Sequence, residues 1–502
     1  MPGLMVCGTN SDAGKSTVVT GLCRLLSRRG IKVAPFKAQN MALNSYVTPS
    51  GHEIGRAQGV QALAARVSPE VAMNPILLKP TGERTSQVVV MGRAWAHLDS
   101  IEYHQAKPRL LTVVLDALSD LRQRFDVIIC EGAGSPAEIN LVDHDIVNLR
   151  VAHAAGFAAI VVGDIDRGGV FAALYGTVAL LPDDLRPLVK GFVINKLRGD
   201  PALLGDGPAQ LERRCGVPTL GILPYLHDIA LDAEDSLALS GHRPRPARLT
   251  AGGDPLDVAA IRFPRISNFT DLDALAIEPG VGVRLVEHPS GLGQPDLIIL
   301  PGTKATVSDL EWLRGRGFPD AIAACRALVL GICGGYQMLG RTIIDPVESG
   351  RSVDGLGWLA VDTVFQPLKV TRQRRGRALG HRVAGYEIHH GRTRASTDDP
   401  GFCSITGSMD PGIEQKWLDL DDAYGSGPEG ASTGTVRGTN LHGLFEEDGF
   451  RRAFLADLAA RRGKRWQSTG VSFAAARESQ IDRLADMLEA HLDMARVEAL
   501  LA

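Results

Sequence analysis

At 502 residues the chain exceeds what one hydrophobic core ordinarily serves, so two or three domains are expected. An apolar fraction of 44% with 22% charged residues fits a soluble globular protein, and a net charge of −3 gives no field suited to nucleic acid or a membrane surface. Seven scattered cysteines without a CxxC pair argue for reduced thiols rather than disulfides or zinc; with no leader-like N-terminus and no run of 18 apolar residues, a cytoplasmic protein is expected.

Leu4–Cys7 predicts a short strand. Gly8-Thr9-Asn10-Ser11-Asp12-Ala13-Gly14-Lys15-Ser16-Thr17 follows, then an apolar pattern of helical period (Val18, Val19, Leu22, Leu25, Leu26). Strand, Gly-rich loop, Gly-Lys-Ser and helix form the setting of a phosphate-binding loop. Its backbone N–H groups can wrap phosphates, Lys15 can reach the outer ones, and the Ser16 hydroxyl can ligate Mg²⁺. Five residues lie between Gly8 and Gly14, one more than usual.

Strands are then expected at Ile31–Phe36, Asp126–Cys130, Ala158–Gly163, Lys190–Ile194 and Thr219–Leu223, with helical material between them. That alternation predicts a parallel sheet with ligands at the carboxyl ends of its strands. Polar residues collect there: Lys37, Gln39 and Asn40, then Glu131, then Asp164 and Asp166, then Asn195 and Lys196. Glu131 is the expected partner of Ser16 at Mg²⁺, and Asn195 is expected at a base edge. Lys37, Arg56, Lys79 and Arg167 are candidates for substrate carboxylates, with Asp143, Asp145 and Asp166 around metal or substrate; a structural ion pair is the competing role for each.

Residues 1–238 thus form an expected nucleotide-binding domain, and the Pro-, Gly- and Arg-rich stretch 239–254 an expected linker. A second α/β unit over 255–450 begins with strands at Leu256–Ile261, Val281–Val286 and Leu297–Leu300, the last running into Pro301-Gly302-Thr303-Lys304. Ala327–Ile332 is a buried-strand pattern that ends at Cys333, with Gly334 and Gly335 before a helical segment. This has the form of a nucleophile elbow, with backbone N–H groups near Gly302 and Gly334 as the expected oxyanion hole. His442, closing the run Thr435–His442 between small residues, is the expected base, with His389 and His390 as rivals. In the C-terminal segment 451–502, Ile481, Leu484, Leu488 and Leu492 predict an amphipathic helix on the body.

Together these stretches resemble a known family. Gly331-Ile332-Cys333-Gly334-Gly335 is similar to the nucleophile motif of class I glutamine amidotransferases. The lengthened loop, with Glu131-Gly132-Ala133-Gly134, is similar to the dethiobiotin-synthetase type of P-loop domain. Their combination resembles the cobyrinic acid amidases; Lys37–Ser45, Glu53–Gln58, Asn74–Pro80, Glu131–Leu141, Asp164–Phe171, Ile194–Gly199, Pro301–Thr306 and Tyr386–His389 carry the likeness. The resemblance implies two parallel-sheet α/β domains and a C-terminal helix. It implies ATP, Mg²⁺, glutamine and a corrinoid polycarboxylate as reactants, with no nucleic acid or membrane partner; a homo-oligomer stays open. The expected reaction is amidation of the b, d, e and g carboxylates of adenosylcobyrinic acid a,c-diamide, with the two sites communicating. The sister enzyme that makes the a,c-diamide, and a P-loop ATPase switch with a degenerate glutaminase domain, are the alternatives. By motif, Cys333 becomes nucleophile and His442 base. The wider class has a Glu two residues after this histidine; here the position is Leu444, so the third triad member is not legible.

Overall fold

The computed structural model describes residues 2–82, 84–226, 253–395, 418–421 and 427–501; apart from residues 253 and 254, the expected linker lies outside them. The chain divides into two compact units. The first comprises the described residues of Met1–Ala42, His52–Asp232 and Arg477–Ala502, and the second those of Leu43–Gly51 and Ala233–Ala476.

The first unit is built on a six-stranded parallel sheet. Its order is Thr219–Pro224, Val189–Leu197, Ala158–Asp164, Gly3–Gly8, Val127–Glu131, Val33–Phe36. The Gly3–Gly8 strand lies inside this sheet and is buried along its length, as a parallel strand covered on both faces must be. The helix Lys15–Arg28 follows it and buries Val18, Val19, Leu22 and Leu26 on one face. The same apolar cluster takes in Ile481, Leu484, Leu488 and Leu492, from the helix Phe473–His491 and the residue after it. A second sheet, Gln39–Met41, Ile76–Pro80, Thr85–Val90 and Arg93–Asp99, carries the residues after Lys37.

The second unit holds a six-stranded sheet in the order Val281–Val286, Leu256–Ile261, Leu297–Leu300, Leu328–Ile332, Val436–Thr439, Ala431–Thr433, parallel except for its last pair. Three adjacent strands therefore end beside one another just before Pro301, Cys333 and Asn440. A further sheet is dominated by a long hairpin, Val361–Ala378 with His381–Ala395. Leu379 and Gly380 join its arms with positive φ at both positions, the backbone of a two-residue turn whose twist matches the strands. Near the start of its second arm, Tyr386 makes a two-way backbone bridge with His442.

Candidate active sites

In the second unit, Cys333 caps a short helix, Gly334–Leu339, with φ 52° and ψ −111°. A non-glycine residue enters that region only when its surroundings hold it, at a cost of about 1–3 kcal/mol. The constraint is visible: the Cys333 N–H donates to Thr439 O at 2.7 Å and its carbonyl accepts from Gln337 N at 3.0 Å. Small neighbours make the turn feasible. A Cβ at Gly335 would meet Leu300 O at 1.9 Å, and one at Gly334 would meet Thr303 Cγ2 at 2.7 Å.

His442 is fully buried, and its Nδ1 lies 2.7 Å from Asp271 Oδ2. The other Asp271 oxygen accepts from Gly443 N at 2.7 Å, so the carboxylate fixes both the ring and the backbone after it. Tyr386 stacks on a face of the ring, with ring centroids 5.3 Å apart. Burial disfavours the imidazolium, but Asp271 and Cys333 outweigh it and push the His442 pKa up to about 10. Nε2 makes no hydrogen bond of full geometric quality among the described residues, and it is the nitrogen left for Cys333 once Asp271 holds Nδ1. Gly302 borders the ring: a Cβ there would meet His442 Cε1 at 2.8 Å. Asp309 supports the same loop by accepting from the Thr303 hydroxyl, and burial pushes its own pKa up to about 6.

Cys333, His442, Gly302 and Gly334 are thus brought together, and the sequence reading missed Asp271. It lies on the 3₁₀ turn Phe269–Leu272, beyond the carboxyl end of the Leu256–Ile261 strand. Strand-end polarity, the rule that picked out Glu131, would have found it in Ser267-Asn268-Phe269-Thr270-Asp271. His389 is not placed as a base. Its Nδ1 donates to Gly391 O at 2.6 Å, and burial takes its pKa down to about 3. His390 Nδ1 is engaged by Gln366 O.

In the first unit, Gly14 adopts φ 104°, which admits glycine readily and side chains rarely. Lys15 Nζ donates to Asn10 O at 2.9 Å and Gly134 O at 3.3 Å, folding across the loop beside Gly8. Ser16 Oγ donates to Glu131 Oε1 at 2.9 Å, placing a hydroxyl from the first turn of the helix beside a carboxylate at a strand end. Thr9 anchors the loop's start through its N–H to Val162 O, and Thr17 lies in the first turn of the helix.

The remaining candidates divide. Lys37 is buried with Nζ 2.8 Å from Glu131 Oε1. Asn40 Nδ2 donates to Gln58, Gln58 to Gln61 and Gln61 to Glu131 Oε2, so an amide relay joins Asn40 to the same carboxylate. Gln58 and Gln61 had not been singled out. Gln39 accepts from the Tyr103 hydroxyl instead. Arg167 bridges Asp12 and Asp164 at the edge of the loop, while Asp166 is paired with Arg198. Asn195, expected at a base edge, donates to Ala13 O at 2.9 Å and so braces the phosphate loop from behind; Lys196 does the same at Asp12 O. Asp145 spends its carboxylate on the N–H groups of Val147, Asn148 and Arg150, a local cap. Exposed Asp143 faces Arg150 at 3.9 Å, and Lys79 forms a buried pair with Glu53 at 2.6 Å. Among the described residues, no group of three or more His, Cys, Asp or Glu side chains gathers as a metal cage, and no helix is long and apolar enough to cross a membrane.

The comparisons agree with both halves. A family model described as the CobQ/CobB/MinD/ParA nucleotide binding domain matches residues 4–238, and one described as the CobB/CobQ-like glutamine amidotransferase domain matches residues 257–450. Among similar proteins, cobyric acid synthase of Rhodococcus jostii (strain RHA1) is 53% identical, over 99% of this chain and 95% of that one. Those of Nocardia farcinica (strain IFM 10152) and Streptomyces coelicolor (strain ATCC BAA-471 / A3(2) / M145) are each 51% identical, covering 99% and 98% of this chain and 96% and 94% of theirs. The chain belongs to the cobyric acid synthase family, glutamine-dependent ligases that join a nucleotide-binding half to an amidotransferase half.

Proposed function

We propose that the chain converts adenosylcobyrinic acid a,c-diamide to adenosylcobyric acid by amidating its b, d, e and g carboxylates, with glutamine as nitrogen donor and ATP as activating substrate. The observation that carries the chemistry is the Cys333, His442, Asp271 set at the ends of neighbouring segments, in one chain with a phosphate loop. Cys333 attacks the glutamine side-chain amide; the oxyanion faces backbone N–H groups near Gly302 and Gly334, and His442 gives its Nε2 proton to the departing ammonia. Water then hydrolyses the γ-glutamyl thioester, with His442 as base, and regenerates the thiol. Asp271 keeps the ring oriented and stabilises its charged form.

In the nucleotide-binding half, a substrate carboxylate attacks the γ-phosphorus of ATP, giving an acyl phosphate and ADP. Ammonia adds to the activated carbonyl and phosphate leaves. Lys15 and the N–H groups of residues from Gly8 to Thr17 are the parts suited to hold phosphates. Ser16 and Glu131 together form the oxygen pair that fits Mg²⁺, which when bound offsets phosphate charge. Lys37 and Asn40, tied to that same carboxylate, are the best-placed candidates for the corrinoid carboxylate. The test is amidation of adenosylcobyrinic acid a,c-diamide, with cobyrinic acid as control substrate, under ATP, Mg²⁺ and either glutamine or ammonium. Product gaining four amides from the first substrate supports the reading. Activity confined to the second, or none with either, overturns it.

A further inference from the structure

The strand region that carries Lys37 to Met41 belongs to the nucleotide-binding unit, but the chain leaves it at Leu43 and packs within the amidotransferase unit as far as Gly51. This excursion touches the elements that hold His442. Ser45 N donates to Asn268 Oδ1 at 2.8 Å, and Phe269 N donates back to Asn44 Oδ1 at 3.3 Å. Asn44, Ser45 and Asn268 are all buried. Asn268 has φ 52° and opens the 3₁₀ turn on which Asp271 sits. The residues before it continue the connection: Ser267 N donates to Gly302 O, and Ile266 bridges Thr303. On the other flank, Val47 packs against Tyr386 and Ile388, and Val47 O accepts from Gln373 Nε2 at 2.9 Å. Tyr386 in turn stacks on His442 and pairs with its backbone.

We propose that Asn44, Ser45 and Val47 are positioning residues of the glutamine-hydrolysing site: a segment encoded inside the nucleotide-binding half, clamping the Asp271 turn and the Tyr386 strand around His442. The physical ground is reciprocity. Two buried side-chain amides each accept the other segment's backbone N–H, so neither segment can shift without leaving a buried donor unpaired. A glutaminase needs its base held to within a fraction of an ångström, and this clamp acts through Asp271 without touching substrate. The inference rests on the glutaminase reading of Cys333 and His442.

The experiment uses the full chain and compares glutamine hydrolysis with ammonium-supported amidation in N44A, N44D, N268G and N268D. Gly at 268 keeps the left-handed backbone but removes the acceptor for Ser45 N, whereas Asp keeps both. The expected result is a fall in kcat for glutamine of about tenfold in N44A and N268G, the size of one lost buried hydrogen bond, with KM within about twofold. N44D and N268D should recover most of the loss, ammonium-supported amidation should hold, and the N44A/N268G double variant should lose less than the two singles combined, because both act on one contact. Unchanged kcat in N44A and N268G, or parallel loss of ammonium-supported amidation, would overturn the proposal. A wild-type chain that hydrolyses no glutamine overturns the underlying reading, a result distinct from either.

Discussion

Cys333 differs from the other described thiols in backbone as well as surroundings. Burial pushes the pKa values of Cys7, Cys23 and Cys130 up, which leaves them inert, whereas Cys333 is held at a left-handed turn beside a histidine whose protonated form is favoured. Cys333→Ala should abolish glutamine-dependent amidation and leave the ammonium-supported reaction, measured as product per ATP consumed. Asp271→Asn should lower glutaminase kcat by roughly 10²–10⁴-fold, the range for loss of an organised acid–base partner. It should also move the alkaline limb of the profile to lower pH. The sign follows from the raised pKa: Asp271 keeps His442 protonated toward about pH 10, and removing its charge lets the ring deprotonate earlier. The same raised pKa stabilises the fold fully below the unfolded value of 6.5 and ceases to do so as pH rises through about 10. Cys333 and His442 were legible because each sits at a strand end among small residues. Asp271 was legible only as a polar residue beyond a strand end, because its partner lies 171 residues away and no local spacing names that partner.

At the scale of elements, periodicity located the parallel strands but not their order. The first strand, Gly3–Gly8, lies between segments that begin at Val127 and Ala158, and only the closed sheet sets Ser16 against Glu131. Local pattern likewise did not foretell the capping role of Asp145 or the loop-bracing role of Asn195, since amide and carboxylate groups serve backbone and ligand equally well. The strand that delivers His442 has its own support. Glu429 accepts from the Thr439 hydroxyl and from Asn440 N, and burial pushes its pKa up to about 7 against those bonds. A carboxyl raised in this way favours the fold below its unfolded value near 4.5 and loses that contribution as pH rises through about 7. Glu429→Gln keeps an acceptor and removes the titration. Its denaturant midpoint should therefore fall less than that of the wild type between pH 5 and pH 8, a window set by the cited values.

Across the whole chain, the first helix and the last described residues form one layer. Gly21 lets them meet, since a Cβ there would lie 2.5 Å from Leu488 Cδ1, and buried Arg24 is bonded to Glu478 at 2.7 Å. Leu488→Ala should cost about 2–5 kcal/mol and Gly21→Ala about 1–3 kcal/mol. Calorimetry with and without ATP should place both losses in the transition that ATP shifts, while glutaminase turnover below that transition stays within about twofold of wild type. The Arg24–Glu478 pair spans 454 residues, one of the longest closures the chain makes. Its consequence lies in biogenesis. During synthesis residues 233–476 precede residues 477–501, so the first helix of the nucleotide-binding unit waits for its last partner. The half that is translated first is thus completed last, and for that interval the Gly21 and Arg24 side of its first helix is the surface left without its partner.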